Sequence, residues 1–175
     1  MKNSKVQHLV IGAMIAALYI VINYAQEMIF PASTTMAIQF RLAEALCVFA
    51  CITPSAIWGL TLGTFVANFV SMGTLPLDWA LGSLATLIAA VCMYQLKNLK
   101  LFTLPLLSAL MPALVNGVII GLEIEIFYVE GGFHFGSFLI NAGCVALGEL
   151  AVLMVLGMPL YKLIERIPIF HYAKQ

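Results

Sequence analysis

Six long, mostly apolar stretches follow one another along this chain, at roughly 8–29, 37–52, 55–72, 78–96, 103–124 and 137–160. Each is continuous rather than alternating, which excludes the strands of a membrane barrel. A helix that crosses a bilayer needs about 20 predominantly apolar residues, and every stretch meets or approaches that length. The second is the shortest and carries Arg41 and Glu44. Hydrophobic residues make up 63% of the 175 and charged residues 9%, with a mean hydropathy of +1.05. Soluble domains carry about 25% charged residues. A chain of this length has no interior large enough to hide so much apolar surface, so the surplus faces lipid. The expected architecture is one all-α transmembrane domain of six helices over residues 1–175.

Pro31, Pro54, Pro76 and Pro105 fall in or near the breaks, where a missing N–H costs least. Pro112 lies inside the fifth stretch, where a kink is expected. Lys2 and Lys5 precede the apolar run Leu9–Ile22. That run is longer than a signal core and no small-residue cleavage site follows it, so it reads as a retained first helix. Basic residues concentrate on the cytoplasmic side of membrane proteins. With six spans and the N-terminus inside, the cytoplasmic segments 1–7, 53–54, 97–102 and 161–175 hold Lys2, Lys5, Lys97, Lys100, Lys162, Arg166 and Lys174, seven of the eight basic residues. The outer segments hold Asp78, Glu125 and Glu130, with Glu27 and Glu123 at helix ends, and neither Lys nor Arg. Five spans would place the C-terminal basic cluster outside. Both termini are therefore expected in the cytoplasm. The outer loop at about 125–136 is glycine-bearing and reads either as a lid or as a connector.

No reaction chemistry stands out. Zero net charge speaks against nucleic acid as a partner. Cys47, Cys51, Cys92 and Cys144 lie in apolar stretches without disulfide or zinc spacing and read as packing residues. His8, His134 and His171 are scattered. There is no phosphate loop, no metal-ligand pair at helical spacing and no nucleophile–base motif. The expectation is a non-enzyme that binds neither metal nor cofactor; if ATP drives it, other subunits hydrolyse that ATP.

The polar residues within the apolar stretches carry more information. Such groups are expensive in a bilayer and tend to face a partner or a cavity. Asn23, Gln26, Glu27, Arg41, Glu44, Asn68, Asp78, Trp79, Asn116, Glu123 and Asn141 all fall in the outer half of their helices, with Glu149 near the middle of the last. Each has a structural explanation too. Arg41 and Glu44 are three apart and can neutralise one another; Asn68 and Asn116 can bond between helices; Asp78 suits a helix N-cap after Pro76. Their gathering on one side of the midplane, from all six helices, favours a pocket open to the outside. At the other end of the first helix, Ala13 and Ala17 make a small-xxx-small step. It serves close packing within the bundle or docking of another membrane subunit.

Three segments carry a family resemblance. They are Gln39-Phe-Arg-Leu-Ala-Glu-Ala-Leu46, Gly59-Leu-Thr-Leu-Gly-Thr-Phe-Val-Ala-Asn68, and Asp78 with Gly82-Ser-Leu-Ala-Thr-Leu-Ile-Ala-Ala90. In order and spacing they resemble the QueT family, S components of energy-coupling factor (ECF) transporters. Ala43 departs from that pattern, which has a small polar residue there in many relatives. The resemblance implies a six-helix subunit in a bacterial plasma membrane that captures a micronutrient outside and docks on a module of one membrane subunit and two ATPases. Ala13 and Ala17 stand at the docking motif. The family's assigned substrate is the queuosine precursor 7-aminomethyl-7-deazaguanine.

Chemistry compatible with that ligand is present. Its guanine-like edge offers two adjacent donors, which one carboxylate can accept as a fork, and a carbonyl that an amide or guanidinium can serve. Glu44 and Glu149 are the candidates for the donor edge and the ammonium, in either order. Asn68, Asn116 and Asn141 are candidate amide contacts, with Arg41 the buried cation, Trp79 or Phe40 a stacking face, and Asp78 at the mouth. If Arg41, Glu44 and Glu149 are all ionised, a cationic ligand offsets the excess negative charge; a protonated carboxyl would do so instead. Other readings stay open: an S component for a flavin, thiamine or an aromatic amino acid, and a membrane scaffold with no solute.

Overall fold

The computed structural model describes residues 4–30, 40–71, 74–99, 104–129 and 131–167. Lys2, Pro31, Gln39, Lys100, Glu130, His171 and Lys174 lie outside the described residues. The elements are helices: α1 (Ser4–Ile29), α2 (Leu42–Cys51), α3 (Ser55–Val70), α4 (Pro76–Leu96), α5 (Leu106–Phe127) and α6 (Phe135–Glu165). Two depart from α geometry. All of α2 is a 3₁₀ helix, and α6 contains a π turn at Leu153–Gly157. Pro112 sits buried inside α5, which runs unbroken around it.

Apart from α2, successive helices pack side by side, α1 on α3, α3 on α4, α4 on α5 and α5 on α6, and α2 touches all five of the others. Every residue from Ala43 to Cys51 is buried. This central position explains the odd geometry. A 3₁₀ helix rises about 2.0 Å per residue, so ten residues reach about 20 Å. Enclosed by protein, its backbone need not meet lipid.

Close seams between helices depend on glycine. A Cβ at Gly59 on α3 would stand 2.5 Å from the Gly12 carbonyl oxygen of α1, and one at Gly63 2.9 Å from Tyr19 Cβ. On the far side, a Cβ at Gly121 of α5 would stand 2.7 Å from Ala142 Cα of α6. Small residues four apart thus let both helix pairs approach to backbone contact. On α1 the packed small residues are Gly12 and Ala16, whereas Ala13 and Ala17 point outward and are exposed.

The outer surface is apolar. Leu9, Trp58, Leu114, Ile140 and Val155 are all exposed, as side chains facing lipid would be. By length and composition α1, α4, α5 and α6 can each cross a membrane, while α2 and α3 are shorter. Among the described residues the six expected helices are therefore present, and four of them reach full span length. Alternation of the helices collects Lys5, Lys97, Lys162 and Arg166 at one end, the basic end, and Glu27, Asp78, Glu123 and Glu125 at the other, the acidic end. Glu125, expected in a loop, lies inside α5 and is fully buried. It accepts the His134 backbone N–H at 3.0 Å and the Asn141 side-chain amide at 3.0 Å. The start of α6 is thereby tied to the end of α5. The turn between them passes through Gly131 and Gly132, at φ of 111° and 86°, values that side-chain-bearing residues rarely adopt.

Candidate functional site

The second helix begins where α1 holds it. Gln26 donates its side-chain N–H to the Phe40 carbonyl and accepts the Leu42 N–H at 2.7 Å. One amide thus fixes the chain on both sides of Arg41. Three residues on, Glu44 is buried at 1% exposure. Tyr19 donates its hydroxyl to Glu44 Oε1, and the Cys47 thiol lies 3.0 Å from Oε2. Both carboxyl oxygens therefore have protein partners. The neutralising Arg41–Glu44 pair expected from their spacing does not form as an ion pair among the described residues. The Arg41 guanidinium instead lies in the shared field of Glu44, Glu149 and Glu123.

Facing this niche, α5 and α6 contribute a second one. Asn116 donates to Glu149 Oε1 at 2.5 Å. Asn116 Oδ1 and Glu149 Oε2 are buried without a hydrogen-bond partner, and each residue is 4% exposed. A buried acceptor without a partner costs about 1–3 kcal/mol, so two on adjoining side chains point to a site that something else completes. Between the two niches lies a cavity lined by Arg41, Glu44, Gly82, Thr86, Asn116, Ile120, Val145 and Glu149. The space between these side chains, open mouth included, is about 320 Å³, and its enclosed part has room for about one water molecule.

Four residues named from the sequence thus meet at one cavity: Arg41, Glu44, Asn116 and Glu149. The others lie around it. Asn68 donates to the Asp78 carbonyl at 3.1 Å and fills the space that Gly82 leaves on α4. Asp78 stands three residues inside the start of α4 rather than at its N-cap; its carboxylate accepts the Leu75 N–H at 2.7 Å and the Tyr128 hydroxyl at 2.7 Å. Burial and this contact with Asp78 push the Tyr128 phenol up to about 12. Trp79 donates to Thr74 Oγ1 at 3.2 Å and meets Phe69 edge-on at 4.8 Å between ring centres. Phe40 serves α2 through its backbone and is 40% exposed. Neither ring lines the cavity, and Asn141 serves the α5–α6 end instead.

Sequence reasoning missed Gly82, Thr86, Ile120 and Val145 as lining residues. Thr86 lies one turn from Gly82 on a face that only packing defines. Ile120 and Val145 are apolar residues in apolar helices and carry no signal of their own. The lining can do three things chemically. Glu149 and Asn116 accept hydrogen bonds, Arg41 donates them, and Ile120 with Val145 flanks a flat molecule with apolar surface.

No curated protein and no solved structure shows significant similarity to this chain. A family profile described as QueT transporter matches residues 9–166. That match covers most of the chain, and with four apolar helices long enough to cross a bilayer the protein is a multi-pass membrane protein that belongs to the QueT transporter family.

Proposed function

We propose that the chain is the substrate-capture (S) subunit of an ATP-driven ECF-type importer, and that its substrate is 7-aminomethyl-7-deazaguanine. One observation carries the reading: the Asn116–Glu149 pair, buried yet with one acceptor open on each residue. A guanine-like edge supplies two adjacent donors, the complement of Glu149 Oε2 and Asn116 Oδ1. Arg41 serves the ring carbonyl. Ile120, Val145 and the guanidinium plane flank the ring, since arginine stacks on flat π systems. Glu149 therefore takes the donor edge, and Glu44, whose oxygens Tyr19 and Cys47 occupy, acts as an anchor for α2.

Transport needs a second surface. Ala13 and Ala17 are exposed on α1 towards the basic end, and small residues permit close helix–helix approach. In this reading that face meets the coupling subunit, whose ATPase partners use the ATP. The basic end is cytoplasmic and the cavity opens to the outside. Ala13→Trp then leaves ligand binding intact and abolishes uptake in cells that express the energising module; uptake at the wild-type rate would remove the docking role.

The substrate is tested by titrating the purified protein in detergent with 7-aminomethyl-7-deazaguanine, with guanine, riboflavin and thiamine alongside. Trp79 near the acidic end offers a fluorescence signal, and calorimetry confirms it. Saturable binding of the deazaguanine, with guanine a poor competitor, is expected. A clear response to another vitamin alone would overturn the substrate. Silence from all ligands in a folded protein would overturn the capture function.

A further inference from the structure

A third buried acceptor lies beyond the cavity lining. Glu123 is 4% exposed and its Oε1 has no hydrogen-bond partner. It follows Asn116 and Ile120 on α5 at steps of seven and three residues, which places all three on one helix face. The stripe runs from the cavity towards the acidic end. The Glu123 carboxyl also lies close to that of Asp78, and Asp78 Oδ2 already accepts from Leu75 and Tyr128. Two carboxyl groups therefore lie close together towards the acidic end, one of them buried with an oxygen left open. No lysine, arginine or histidine forms an ion pair with either among the described residues. Arg41 is near enough to act through its field only. Two acids this close are stable when they share a proton or receive a cation.

We infer that Glu123 and Asp78 form a cation subsite which receives the primary ammonium of the substrate and sets specificity for it. The inference rests on the cavity being the base-binding site. Seven residues of α5 span about 10 Å, the scale of a fused bicyclic base carrying a one-carbon arm. With the donor edge on Asn116 and Glu149, the arm extends along the stripe to Glu123. Its ammonium donates to the open Oε1, and the Asp78 carboxylate adds charge from α4. Tyr128 steadies Asp78 from the α5 side. The Glu149–Asn116 pair then reads the base, and the Glu123–Asp78 pair reads the charge. Neutral bases of the same shape would bind less well because they leave the acid pair without a counter-ion.

Paired titrations test the assignment. The purified protein is titrated with 7-aminomethyl-7-deazaguanine and with the same base bearing a neutral nitrile in place of the aminomethyl group. Wild type should prefer the amine. Glu123→Gln should weaken amine binding roughly 10- to 100-fold, the range of a charge-assisted hydrogen bond, and leave nitrile affinity within about 2-fold, so the preference collapses. Asp78→Asn, which keeps an acceptor for Leu75, should lower the same ratio and stands in should Glu123→Gln fail to fold. A wild-type ratio in both variants would overturn the inference and leave the acid pair as a shared proton. Glu149→Gln separates the two levels of the reading. If it loses both ligands while Glu123→Gln keeps the wild-type ratio, the base site stands and the cation subsite falls. If wild type binds neither ligand, the base-binding reading fails and this assignment falls with it.

Discussion

The α1–α2 side and the α5–α6 side of this bundle are built alike and finished differently. Each borders a glycine seam, with Gly59 and Gly63 of α3 against α1 and Gly117 and Gly121 of α5 against α6. Both bury glutamates among apolar helices, Glu44 on the first side and Glu123, Glu125 and Glu149 on the second, where Glu125 at the acidic end has both oxygens bonded. On the α1–α2 side the polar groups close on one another: Gln26 spends its amide on the backbone at Phe40 and Leu42, and Glu44 holds Tyr19 and Cys47. On the α5–α6 side Asn116, Glu123 and Glu149 each keep an unmatched oxygen. Burial of acids therefore does not distinguish scaffold from site, since both sides have it. Satisfaction does. A closed polar network rigidifies a core, whereas a half-closed one is costly and persists where a partner completes it.

That contrast is open to attack by substitution. The largest expected effect is on binding. Glu149→Gln turns an acceptor towards the donor edge into a donor, and should raise Kd for the deazaguanine roughly 100-fold by calorimetry, the upper range of a lost charge-assisted hydrogen bond. Unchanged affinity would return Glu149 to the scaffold. Glu44→Gln should show the opposite profile. It should cost about 1–3 kcal/mol of stability, seen as a lowered Tm in detergent, with Kd changed by no more than about 3-fold. A Kd loss as large as that of Glu149→Gln would show that the two sides are not distinct.

Ligand protection sharpens the same point. At 100 times Kd a ligand that binds only the folded protein stabilises it by about 2.7 kcal/mol. Wild type and Glu44→Gln should both show that shift, and Glu149→Gln should not at the same concentration. The smallest effect concerns Tyr128, which is half exposed at the acidic end. Tyr128→Phe should change stability by no more than about 0.5 kcal/mol at neutral pH. Its phenol lies above the ordinary value of 10.0, at about 12, so the folded state holds this proton more tightly than the unfolded one. What Tyr128 contributes is thus complete below about pH 10 and is lost as pH rises towards about 12. The Tm difference between wild type and Tyr128→Phe should shrink over that window.

Much of this was legible in the sequence, for identifiable reasons. Prolines and apolar run lengths located the helices because both act locally. Depth alone singled out Arg41, Glu44, Asn116 and Glu149, since polar groups in apolar helices are rare enough to stand out. Partnership was not legible. Asn116 and Glu149 are 33 residues apart, and nothing in either segment names the other. Arg41 and Glu44 look paired at their spacing, yet Tyr19 from α1 reaches the acid instead. The 3₁₀ course of α2 was invisible because its residues are buried on every side, which leaves no periodicity to read. Glu125 looked like a loop residue because it caps the next helix from within its own.

In the proposed function, the half-bonded Asn116–Glu149 pair is where the substrate base binds. Calorimetric titration of wild type, Glu149→Gln and Glu44→Gln with 7-aminomethyl-7-deazaguanine tests it most directly. Wild type should bind tightly, Glu44→Gln should keep near-wild-type affinity, and Glu149→Gln should lose roughly 100-fold. Equal affinity in wild type and a folded Glu149→Gln would contradict it.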